Sequence, residues 1–206
     1  MSAIITEIIP PQPVEIIENR IGEILVTEIA NQQNLQSLTE NVGVFLERIE
    51  PFEKSEDVGI LLTLYDGDYS EFTQQSSQGS YMYYIDLYCT GEGNSIETAS
   101  INSKNKIQKY VGMIRYILSS GKYPTLGFPY GLIGNKHIKK ILYDVNYSNF
   151  GNHSNYDGSY VRFCRMILMV NCIENQDLWL GIPLQGNDTN ITYENTSKGI
   201  QLIFNK

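Results

Sequence analysis

Apolar positions recur with two different periods along this chain, and the switches between them divide it into elements. From residue 13 to 36, Val14, Ile17, Ile21, Ile24, Leu25 and Ile29 fall three or four apart. That spacing predicts an amphipathic helix. Pro13 suits its first position, and Glu15 and Glu18 suit the positive end of its dipole. A second helix is predicted over 99–119, with Ile107, Tyr110, Val111, Ile114, Ile117 and Leu118 on one face. Thr98 or Ser100 can cap its start, and Gly121 with Pro124 closes its end.

The remaining apolar runs have strand character. VGVFLERIE (42–50) reads as a strand that Pro51 ends or marks as an edge, and VGILLTLYD (58–66) as a buried strand. YMYYIDLYC (81–89) alternates, placing Tyr81, Tyr83, Ile85, Leu87 and Cys89 on one side and Asp86 on the other. The strands over 58–66 and 81–89 are expected to pair antiparallel, joined by the polar segment 66–80. IKKILYDVNY (138–147) and YVRFCRMILMVNCI (160–173) then form a long hairpin around the polar loop 148–159. The second of these strands spans about 46 Å at roughly 3.3 Å per residue, long for a strand. Its expected core positions lie near Tyr143, Val145, Phe163 and Ile167. NITYE and GIQLIF predict a small hairpin at the C-terminal end.

The expected fold class is therefore α+β. A mixed, mainly antiparallel sheet of four to five strands carries two helices on one face. Residues 1–12 form an apolar arm interrupted by prolines, 13–175 the domain, and 176–206 an extension.

Charge sharpens this picture. The 206 residues carry a net charge of −8, which opposes clamping of nucleic acid. Residues 1–97 hold 17 acids against three bases, and residues 98–206 hold six acids against 12 bases. Such a split is either neutralised between two sides of one globule or matched between neighbouring copies joined head to tail. Cys89, Cys164 and Cys172 are odd in number and lie in apolar runs, so they read as small core residues in a reducing compartment. No signal peptide is evident, and no apolar run reaches the length needed to span a membrane.

Candidate chemistry is sparse. His137 and His153 lack Cys or carboxylate neighbours at ligand spacing. Asp66-Gly67-Asp68 with Glu71 departs from the calcium-loop pattern by its early glycine. Gly91-Glu92-Gly93 lies between a strand and a helix, but Ile96 stands where a dinucleotide site needs its third glycine. No nucleophile elbow or phosphate-binding loop appears. Neither a cofactor nor a metal is expected, and no catalytic residue is assigned.

With this order established, the chain resembles the tail terminator and neck (head-tail connector) proteins of tailed bacteriophages. The resemblance rests on a first helix leading into VFLERIEPFEKSEDVGILLTLYDG (44–67). SYMYYIDLYC (80–89) then precedes the helix SINSKNKIQKYVGMIRYILSS (100–120). The late strands ILYDVNYS (141–148) and YVRFCRMILMVNCIE (160–174) complete it. It covers about residues 13–175 and is one of order and pattern. The loop 148–159, the extension and the apolar arm depart from it. It implies a structural virion protein that assembles as a homo-oligomeric ring, a hexamer or dodecamer. Such a ring contacts portal, neck and tail-tube proteins, and genomic DNA passes through without sequence-specific binding. The chain would be made in the host cytoplasm and would have no membrane partner. On this reading Phe150, His153, Tyr156 and Asp157 of the loop, with Lys104, Lys106 and Lys109 of the second helix, are the candidate residues for subunit contacts or the channel lining. A non-enzymatic binding module or another tail or baseplate component acting through the 148–159 loop is the alternative. A carboxylate-based, metal-dependent nuclease is a third class.

Overall fold

A computed structural model describes residues 8–9, 11–48, 56–71, 76–129, 131–143, 159–175, 191–196 and 199–204. The chain divides into two compact units, Met1–Gln176 and Asp177–Lys206.

In the first unit, α1 (Pro13–Gln36) is followed by β1 (Val42–Leu46), β2 (Val58–Glu71) and β3 (Ser76–Glu92). Then come α2 (Ile96–Ser119), β4 (Ile133–Tyr143) and β5 (Ser159–Asn175). The strands form one sheet in the order β1-β2-β3-β5-β4. β1 and β2 are parallel, and the other three pairs are antiparallel. The fold is therefore α+β with a mixed, mostly antiparallel sheet. The second unit contains the antiparallel hairpin β6 (Ile191–Thr196) and β7 (Gly199–Phe204).

Both helices pack on one face of the sheet. Ile17, Ile21, Leu25 and Ile29 of α1 and Ile107, Tyr110, Ile114 and Leu118 of α2 meet a layer of strand residues in one core. That layer is Ile60 and Leu62 of β2, the odd-numbered residues 81–89 of β3, and Cys164, Met166, Leu168 and Val170 of β5. The alternation in YMYYIDLYC thus places its residues as expected. β5 takes the opposite phase from the expectation: Phe163 and Ile167 turn away from the helices, while the even-numbered residues enter the core. Its apolar residues fall on both parities, so period alone does not select a face. Tyr143 of β4 is exposed, and Val145 lies outside the described residues.

Four boundaries also differ from the sequence reading. The polar segment 66–80 is mostly strand, because β2 continues to Glu71 and β3 starts at Ser76. Backbone pairing between Asp66↔Met82 and Glu71↔Ser77 makes strands of these polar residues after a register shift at Leu64/Asp66. β1 ends at Leu46, where Glu47 adopts φ 51 and leaves the extended region. β4 begins at Ile133, ahead of the strand expected to start at Ile138. The cap of α2 is Ser95, whose Oγ accepts from the Thr98 N–H at 3.2 Å.

Asp57 joins four elements where the sheet begins. Its Oδ2 accepts from the Asn41 N–H at 3.0 Å, and its Oδ1 from Lys106 Nζ of α2 at 3.0 Å. Its carbonyl accepts from the Thr90 N–H at 2.9 Å. Burial opposes ionisation of Asp57, but the Asn41 N–H and the Lys106 ammonium outweigh it and hold the carboxyl below its ordinary value of 3.8. A depressed carboxyl stabilises the fold above its unfolded-state pKa, and that contribution disappears as pH falls through the folded value. Asp57→Ala should therefore cost about 1 kcal/mol at neutral pH, a figure discounted for partial exposure. The gap between variant and wild type in thermal unfolding should close as the pH drops below the ordinary aspartate range.

Gly91 and Gly93 sit where the end of β3 passes beneath the first turns of α2. A Cβ on Gly91 would lie 2.3 Å from both the Ala99 carbonyl oxygen and the Ser103 nitrogen. One on Gly93 would lie 2.6 Å from the Ala99 nitrogen. These glycines are accounted for by helix–strand contact. Gly91→Ala should destabilise the protein by about 3 kcal/mol, since backbone and not a pliable side chain must move. Chemical denaturation read by circular dichroism measures this.

Candidate functional site

Of the seven sequence-derived candidates, three lie among the described residues. Phe150, His153, Tyr156 and Asp157 lie outside the described residues. Lys104 and Lys109 are exposed on α2. Lys106 is half-buried and committed to Asp57. At 100° per residue the three lysines point in different directions around the helix and do not form one basic stripe.

The other candidates are absorbed into the fold. Asp66, Gly67 and Asp68 are strand residues, and Asp66 Oδ1 accepts from the Gly67 N–H at 2.8 Å. His137 is exposed on β4. Among the described residues, no three His, Cys, Asp or Glu side chains converge to hold a metal ion. Cys89, Cys164 and Cys172 are buried thiols. Burial pushes Cys89 up to about 12 and Cys172 up to about 11, the reverse of what a nucleophilic thiolate needs. Among the described residues, no helix is long and apolar enough to cross a membrane.

Three surface features remain. The first is a groove of about 380 Å³ between the C-terminal halves of α1 and α2, walled by Leu35, Met113, Tyr116 and Ile117. Its one carboxylate, Glu28, accepts a hydrogen bond from Tyr123 Oη at 2.5 Å. That bond and then burial raise the Tyr123 hydroxyl, which stays protonated at neutral pH.

The second lies on the sheet face away from the helices. Asp86 and Arg165 are directly opposed across β3 and β5. They form a forked pair, with Nε to Oδ1 at 2.7 Å and Nη2 to Oδ2 at 2.6 Å. The Arg165 guanidinium also lies 4.1 Å from the Tyr84 ring centroid, and Tyr84 stacks on Tyr65 at 4.1 Å. A bidentate pair needs both partners in one plane, so it fixes the β3–β5 register as well as adding attraction. The sequence reading assigned Asp86 to this face. It missed the partner, because Arg165 is 79 positions away and only the strand pairing brings them together.

The third feature is the contrast between the outer strands. β1 lies among acids, and β4 carries Lys136, His137, Lys139 and Lys140. The charge split seen along the sequence therefore reappears across the width of the sheet.

No protein-family model matches the chain, and no curated protein matches it.

Nothing at these places joins a nucleophile, a base and a cavity. What the geometry offers is shape, charge and strand edges. The forked pair should respond asymmetrically to substitution. Arg165→Met leaves Asp86 buried without its counter-charge and should cost about 3 kcal/mol. Replacing both residues, Asp86→Leu with Arg165→Met, should cost less than Arg165→Met alone, as measured by urea unfolding of the single and double variants.

Proposed function

We propose that this chain is a non-enzymatic structural subunit of a ring at the neck or tail end of a tailed bacteriophage particle. There it joins or terminates the tail tube and leaves a channel for DNA. The observation that carries the reading is the layout. A first helix, a group of strands, the main helix and two late strands make one sheet with both helices on a single face. This is the arrangement the resemblance implies. The opposite charges of the two halves support it, since a ring subunit meets its neighbours through two different surfaces. Net negative charge suits a conduit, because carboxylates facing a lumen repel phosphates and let DNA slide.

On this reading the contacts are with further copies, with portal or neck proteins, and with the tail tube. Purified full-length protein is expected to form a closed oligomer, a hexamer or dodecamer, in size-exclusion chromatography with light scattering. Antibody labelling of particles should place it between the capsid and the tail tube. A strict monomer at high concentration that labels no particle would refute the proposal, and chelator-sensitive cleavage of DNA would favour the nuclease class instead.

A further inference from the structure

The two outer strands of the sheet present opposite faces to a neighbour. β1, with the sequence VGVFL, has one strand neighbour among the described residues and carries no charge, proline or register shift. An apolar outer strand is a ready template for another strand. Acids bracket it: Glu40 precedes it, and exposed Glu47 closes it. Glu18 of α1 lies within reach of Glu47. Burial raises the Glu18 carboxyl, the Leu64 N–H partly offsets that rise, and the Glu47 charge adds to it. Arg48, the next cation along the chain, is held by Glu56 at 2.6 Å. This end of the sheet is therefore rich in carboxylates.

β4 has the opposite character. His137, Lys139 and Lys140 are exposed along it, and the strand contains no acid. Lys136 is turned back to the Leu118 carbonyl at the end of α2. Arg115 of α2 acts on Tyr143 at the far end of the strand. Lysines on an outer strand deter indiscriminate pairing. Here they would refuse a second β4 and admit an acidic partner.

Strand direction adds an independent condition. β1 runs with β2, and each further step across the sheet reverses direction, so β1 and β4 run opposite ways. Two copies standing side by side in the same orientation would therefore bring β4 of one antiparallel to β1 of the next. That is the more stable way to extend a sheet. Joining β1 to β1, or β4 to β4, about a two-fold axis would also be antiparallel. It would set acid against acid or lysine against lysine.

We propose that the β1 edge of one copy receives the β4 edge of the next, so that copies join head to tail through a continued sheet in which an acidic margin meets a basic one. This rests on the ring reading above and names the surfaces that make the ring.

Charge reversal tests it without touching the core. One variant carries Glu47→Lys, and the other carries Lys139→Glu with Lys140→Glu, all at exposed positions. Circular dichroism should show both folded. Each alone should associate roughly a hundred-fold more weakly than wild type. Mixed one to one, they should recover assembly with alternating copies, and a chain carrying all three changes should assemble by itself. Wild-type assembly should weaken with added salt. If wild type forms rings and both variants form them equally well, the edge assignment is wrong and the ring reading stands. The same holds if the variants fail alone and the mixture recovers nothing. If wild type stays monomeric throughout, both fall together.

Discussion

The antiparallel ladder between β3 and β5 is the constraint on which the rest of the first unit depends. Each strand has 17 residues, and they pair without a register shift from Ser76↔Asn175 to Glu92↔Ser159. Strands of this length are far above the usual five or six residues. The chain closes this ladder only after it has completed α2 and β4, so the pairing is long-range and carries a loop-closure cost. What offsets that cost is the row of Tyr81, Tyr83, Ile85 and Leu87 beside Cys164, Met166, Leu168 and Val170, each at most 1% exposed. β2 and β4 then add to the outer sides of a pair already fixed, and α1 and α2 cover the face that this pair defines.

Register within the ladder is a problem that hydrophobicity leaves open. β5 offers apolar side chains to both faces, so a slip of one residue would exchange one apolar row for another. The Asp86–Arg165 fork resolves the ambiguity, because a slip would carry the guanidinium into the core beneath the helices. At the other end of β3, Gly91 and Gly93 let α2 sit directly on the strand. Polar pairing fixes how the strands align, and missing side chains fix where the helix rests.

The helices and the helix-facing side of β3 were legible in the sequence because their periods are unambiguous. The stripe from Ile107 to Leu118 and the alternation from Tyr81 to Cys89 both fall where expected. β5 defeated the same reasoning because its two faces are equally apolar. The polar stretch from Asp66 to Ser80 defeated it because residues such as Asp68, Ser70 and Gln78 hold strand geometry through backbone pairing with β3 or β5, whatever their own preferences. Of the candidate site, the lysines on α2 were visible but their different directions and the use of Lys106 by Asp57 were not. The contrast between outer strands was half legible. The charge split stood in the sequence, but only the strand order assigns it to the two margins.

The buried thiols bear on chemical durability. A thiol held near 11 or 12 is ionised at pH 7 to about one part in ten thousand or less, and the thiolate is the form that oxidants attack. Cys164 is likewise sealed, at 0% exposure. All three sit on the helix-covered side of the sheet, in the layer that holds the unit together. The same burial that places them in the core keeps all three thiols away from oxidants and from partner thiols while the unit stays folded.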